Sequence, residues 1–205
     1  MFYDFAVPKH KVFLSFHHQD DYYRQQFEWQ FSNEFDPVFV NRSVQDGDID
    51  PNYKTDAIRR KIRENYISDS SVTIVLIGQN TWQRKHVDWE IGYSLTTSNL
   101  NTRSGLIGIL LPSYSPCYES YFHPNCVRKW TENNSQIYTP CNIPPRLYDN
   151  IQSGYAKIYP YPTSSHELKK WIHEAFQRRG AGHIVTVAII LPIIEIVHIG
   201  NLNFK

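Results

Sequence analysis

Five apolar runs punctuate the chain, and between them apolar residues recur every three or four positions. KVFLSF (11–16) is apolar and gives way to polar HHQDD, as a buried strand entering a loop does. PVFVNRSV (37–44) is a second strand candidate. SVTIVLIG (71–78) is the clearest of the set. It is continuous, β-branched and apolar on both faces, which places it in the middle of a parallel sheet covered on both sides. GLIGILL (105–111) and YAKIY (155–159) supply a fourth and a fifth strand.

The intervening stretches have helical spacing. Tyr23, Phe27 and Phe31 fall four apart and share one face. QDGDIDPNYK follows the second strand as a turn-rich loop, in which Gly47 permits unusual backbone angles and Asp50-Pro51 can cap and start a helix. Ile58, Ile62 and Tyr66 mark that helix, and its basic RRKIR (59–63) reads as a solvated face. Val87, Ile91 and Leu95 form the stripe of a third helix. Ser164 and Glu167 read as a capping box for a last helix with Leu168, Trp171, Ile172 and Ala175 on its apolar side. Strand and helix alternate, and right-handed crossovers then build a five-stranded parallel sheet with helices on both faces. The exception is 112–154, a long segment without strong periodicity that reads as an insertion after the fourth strand.

The domain is expected over 1–180, followed by a separate apolar tail over 181–205. Within that tail HIVTVAIILPIIEIVHIG (183–200) is shorter than the roughly 20 residues a spanning helix needs, and it carries Pro192, Glu195 and His198. A membrane span is therefore disfavoured, and a docked strand pair broken at Pro192, a weak membrane anchor and a translated non-native end stay open.

Composition narrows the picture. With 205 residues and 41% apolar content, one sizeable core can form. The formal net charge is +1, so no basic excess points to nucleic acid. The N-terminus lacks the basic start and apolar run of a secretory leader. Three cysteines, Cys117, Cys126 and Cys141, suit reduced thiols in a cytoplasmic chain. With His123 they could form a zinc set, but the spacing has no CxxC pair, and no metal is expected.

Candidate chemistry gathers where two strands end. Glu90 lies three residues after Val87, on a face that borders the buried stripe and also carries His86 and Tyr93. In an open α/β sheet the ligand crevice lies beyond the carboxyl ends of the strands, and this helix begins just after SVTIVLIG. Spacing alone favours a plainer assignment, a solvated acid near a helix N-terminus, where the dipole favours it. Trp82, in the loop GQNTWQRK, reads either as a stacking surface or as a core-edge aromatic. Ser15, Phe16, His17 and His18, at the end of the first strand, face the same crevice and suit an aromatic, phosphate-bearing ligand.

KVFLSFHHQDD followed by DSSVTIVLIGQNTWQRKHVDWEIGYSL resembles the TIR-like family whose best-known members are the ThsB-type proteins of Thoeris anti-phage defence. The resemblance covers roughly residues 10–111, and its specific part is the pairing of SFHxxD with SVTxVLIG…T(W/F)xR(K/R)xVxxEI. It implies a flavodoxin-like TIR fold. It also implies that Glu90 matches a catalytic glutamate, in an enzyme that cleaves NAD+ between nicotinamide and ribose and in many members makes a cyclic ADP-ribose isomer. That product activates a separate effector. NAD+ is then the substrate, and no other cofactor is expected. Ser15, Phe16, His17, Trp82 and His86 become substrate-binding candidates, joined by Asp46 in the loop 44–54, which in relatives covers the site or joins two subunits. A homo-oligomer on activation and a phage-derived trigger are implied as partners. One departure stands out: relatives commonly carry an aromatic four residues before the glutamate, and here that residue is His86. A non-enzymatic TIR-type interaction module is the competing expectation. A phospho-acceptor receiver is set aside, because SVTIVLIG ends in Gly78-Gln79 rather than in an aspartate.

Overall fold

A computed structural model describes residues 8–33, 35–45, 47–48, 53–97, 102–114 and 142–180. Asp46, the cysteines, His123 and the apolar tail lie outside these described residues. Five strands run β1 (Lys11–Ser15), β2 (Val40–Asn41), β3 (Val72–Ile77), β4 (Gly105–Leu110) and β5 (Lys157–Tyr159). Their spatial order is β2-β1-β3-β4-β5, and every neighbouring pair is parallel. This is the flavodoxin-like order, with its switch point between β1 and β3.

The helices are α1 (Asp21–Phe31), α2 (Thr55–Ile62), α3 (Lys85–Ser94), α4 (Pro145–Gln152) and α5 (Ser165–Arg178). Two cores follow from the two faces of the sheet. Phe27 and Phe31 of α1 and Leu168, Ile172 and Ala175 of α5 pack on Val12, Leu14, Ile74 and Leu76. Val87, Ile91 and Leu95 of α3 and Leu147 of α4 pack on Val75, Ile77 and Leu106. All six residues of β3 are buried, as its unbroken apolar run requires, and each large aliphatic there contributes about 1.5–3 kcal/mol of burial.

Four details depart from the sequence reading. β2 has two residues rather than a full strand, because Val38 and Phe39 are spent in the α1-side core before the ladder with β1 begins. The span 112–154 ends in a helix, α4, which lies on the crossover between β4 and β5. It is only eight residues long, so its apolar spacing is too brief to show as a period. The cap of α5 is also shifted: Ser164 Oγ accepts from the Glu167 N–H, but the Glu167 carboxylate reaches back to Thr163 N–H and Oγ1 instead of to Ser164. α2 begins at Thr55, after the Asp50-Pro51 pair, and continues into a π-helical turn over Arg63–Ile67.

Candidate active site

Side chains alternate along a strand, so consecutive residues of β1 face opposite helices. Ser15 closes β1 on the α3 side, fully buried, and its hydroxyl donates to Glu90 Oε2 at 2.5 Å. These residues are 75 positions apart in sequence and meet at the switch point of the sheet, where β1 and β3 end side by side. Val87 and Ile91, both fully buried, seat α3 on the sheet and so fix the direction in which Glu90 projects between them. Glu90 itself is partly buried. Desolvation pushes its carboxyl pKa up to about 7, and the Ser15 hydroxyl pulls in the opposite direction without cancelling that rise. A carboxylate kept ready to ionise near neutrality, at the mouth of the strand ends, is suited to meet a developing positive charge.

His17 follows one alternation beyond Ser15 and is covered completely. It lies under Arg84 and against His18, whose ring stacks on it at 4.4 Å between centroids. Desolvation, then the charges of Arg84, His18 and His86, depress its imidazole to about 4, so the ring is neutral. His86 stands in the first turn of α3 with one side open to solvent. Desolvation first, then Arg84, His18 and Arg59, lower its pKa also.

The other candidates are distributed differently. Phe16 points to the opposite face of the sheet, packs against the α1-side core and lies under the Arg24 guanidinium at 5.4 Å. Trp82 is half-buried in a 3-10 turn, Thr81–Gln83, that precedes α3. Tyr93, read as sharing the face of Glu90, instead packs edge-on against Trp89 at 4.3 Å and carries Arg63 over its ring at 5.2 Å. Arg59 covers Trp89 at 5.8 Å, so aromatic and guanidinium groups join α2 and its π-turn to α3.

Two groups of residues that pattern reading missed surround this centre. The first is built on Asp20, 5% exposed, whose carboxylate accepts from Ser113 Oγ at 2.8 Å and Thr81 Oγ1 at 3.4 Å. Thr81 Oγ1 in turn accepts from the Gly78 N–H at 2.9 Å. A Cβ on Gly78 would come within 2.4 Å of three carboxyl atoms of Asp20, so glycine is required there by close approach. The loops after β1, β3 and β4 are thereby tied at one carboxylate. The threonine three residues after Gly78 was the available sign of a side-chain-bonded turn. The second group is Asp88 with Arg146. Asp88 accepts from the Arg146 backbone N–H at 2.8 Å and pairs with its guanidinium at 3.3 Å. The side chain of Arg146 lies against Gly92, where an added Cβ would stand 3.1 Å from the guanidinium carbon.

No group of three or more metal-ligating side chains occurs among the described residues. No described helix is long and apolar enough to cross a membrane.

Residues 13–115, half of the chain, match the family model described as Thoeris protein ThsB, TIR-like domain. No curated protein matches the chain.

Proposed function

The chain belongs to the Thoeris ThsB family of TIR-like domains, and from that premise we propose that it cleaves NAD+ at the bond between nicotinamide and ribose, with Glu90 as the catalytic carboxylate. The observation that carries this reading is the partly buried Glu90, held by Ser15 at the switch point and ionising near pH 7. Departure of nicotinamide leaves an oxocarbenium-like ribose. The ionised carboxylate of Glu90 stabilises that charge and accepts from the ribose hydroxyls. Nicotinamide leaves neutral, so no strong general acid is needed, and the low pKa of the nearby imidazoles is no obstacle. Where water is excluded, a nucleophile of the same molecule captures the cation and the product is a cyclic ADP-ribose isomer. Where water enters, it is ADP-ribose. The cyclic product then acts as the signal that switches on a separate effector during phage infection.

A second reading has its own observation. Trp29 is 75% and Phe35 99% exposed, with Tyr22 and Tyr53 also open to solvent, and such aromatics suit a non-enzymatic interaction module.

Incubation of the purified protein with NAD+, with and without lysate of phage-infected cells, separates the two. The enzymatic reading expects nicotinamide release by the wild type and a fall of about 10²–10³-fold in Glu90→Gln. Product mass distinguishes cyclic from linear ADP-ribose. Release unchanged in the variant, or none in any assembled state, leaves the interaction module.

A further inference from the structure

Charge is divided unevenly along this nearly neutral chain. Segment 20–36 holds Asp20, Asp21, Glu28, Glu34 and Asp36 against Arg24 alone. Segment 54–64 holds Lys54, Arg59, Arg60, Lys61 and Arg63 against Asp56 and Glu64. The first comprises α1 and the turn after it, and the second comprises α2 and the opening of its π-helical turn. α1 packs with α5 on one face of the sheet. α2 and the π-turn meet α3 on the other, through Arg59 over Trp89 and Arg63 over Tyr93. Among the described residues no ion pair joins the two segments.

Each segment carries a feature that the fold does not use. Beyond the end of α1, the Asn33 side-chain oxygen accepts from the N–H groups of Phe35 and Asp36, both at 3.1 Å, and so holds a turn. That turn displays the Phe35 ring, 99% exposed, beside an Asp36 carboxylate that is almost as open. An aromatic ring left in water contributes nothing to the core, and here a side-chain hydrogen-bonded turn keeps it there. On the opposite face α2 has no fully buried residue. Its outer flank encloses a hollow of about 340 Å³ lined by Tyr53, Ala57, Arg60, Lys61, Glu64 and Asn65. The Tyr53 ring and Ala57 form its apolar wall, with the Lys61 ammonium 5.7 Å from the ring centre. Among the described residues the Arg60 guanidinium at the rim has no carboxylate partner. Glu64 and Asn65 belong to the π-turn, a local widening of the helix that is common at functional sites.

We propose that these surfaces are the two halves of one contact between copies of this chain: Phe35 of one copy enters the hollow on α2 of the next, and Asp36 pairs with Arg60 at its rim. A ring flanked by a carboxylate meets an apolar hollow flanked by an unpaired guanidinium, so shape and charge match together. Trp29, 75% exposed on α1, adds a second aromatic face for the cations of α2. The halves lie on opposite faces of one sheet, so the contact is head to tail. A copy that has placed its ring still offers its hollow, and copies add in series or close into a ring. The resemblance implies a subunit contact made by the loop 44–54. The contact proposed here takes its inserting half from the turn after α1, and it does not depend on whether Glu90 acts on NAD+.

Sedimentation velocity of the purified full chain, over a micromolar concentration series at low and high salt, tests this. The wild type is expected to associate, less so at high salt. Phe35→Ala and Arg60→Glu, both at exposed positions outside the core and the crevice, should each weaken self-association by about tenfold or more with unchanged thermal melts. Mixing the two variants is the sharper measurement. Phe35→Ala keeps its hollow and Arg60→Glu keeps its ring, yet the ring of Arg60→Glu also keeps Asp36, so the mixture should form dimers and nothing longer. The charge swap Asp36→Arg with Arg60→Glu in one chain should restore the series that either change alone disrupts. A wild type that stays monomeric at every concentration, association that persists in both single variants, or a mixture that forms no dimers overturns the contact. Glu90→Gln should assemble like the wild type, so loss of NAD+ cleavage and loss of assembly are separate outcomes.

Discussion

Asp20 and Glu90 are carboxylates drawn away from water at the same end of one sheet, and they are held in opposite ways. Asp20 collects hydroxyls from Ser113 and Thr81, and Gly78 is stripped of a side chain to let it in. Glu90 has a single partner among the described residues, the Ser15 hydroxyl, and its pKa rises to about 7. The first arrangement fastens loops. The second leaves an acid under-solvated, and such a group is more useful to a transition state than to the fold. One carboxylate organises the crevice and the other is exposed to demand within it.

Substitutions should divide the two along this line. The largest change in stability is expected for Asp20→Ala, which strands two hydroxyls at the loop junction at a cost of about 2–3 kcal/mol, a fall in Tm of about 5–10 °C by calorimetry. Glu90→Gln should move the other way. Its carboxyl binds a proton more tightly folded, at about 7, than unfolded, near 4.5, so the native state loses stability as pH rises from 4.5 to 7. Replacing it with an amide removes a penalty on the order of 2–3 kcal/mol at most, reduced because the group is partly exposed. Tm should rise by several degrees at pH 8 and stay unchanged near pH 4.5. A Glu90→Gln protein that melts lower at pH 8 would erase the contrast.

Gly78→Ala drives a methyl group into the Asp20 carboxylate and should cost about 1–3 kcal/mol in denaturant titrations. The smallest effect belongs to Ser15→Ala. The Ser15 hydroxyl favours the ionised form of Glu90, so its loss should shift the pH–rate profile of nicotinamide release upward by about one pH unit or less. In the wild type that profile should climb about tenfold per pH unit and level off above about 7.

How much of this was legible in the chain depended on whether the information was local. β3 was readable because burial on both faces leaves no polar residue to break its run. β2 misled because Val38 and Phe39 look like strand residues while serving the core beside it. α4 was invisible at eight residues. Glu90 could be placed from the Val87–Ile91–Leu95 stripe, since helical angles follow from spacing. Its contact with Ser15 could not, because nothing local encodes the closure of a 75-residue separation. Arg84 sits in the loop GQNTWQRK and Asp20 in the polar HHQDD, and nothing local marks either of them. Each acquires its meaning only when β1 and β3 lie side by side. Phe16 and His17 looked equivalent in sequence, yet strand alternation sends one to α1 and the other to the crevice.

The pairing of Asp88 with Arg146 has a mechanical side. Asp88 precedes Glu90 by two residues, a helical rise of about 3 Å, and it is bolted to the first turn of α4 through both backbone and guanidinium. α4 leads directly into β5 and packs beside α3. The helix that carries Glu90 and the start of α4 are therefore fixed to one another, so a shift of α4 moves the acid with it.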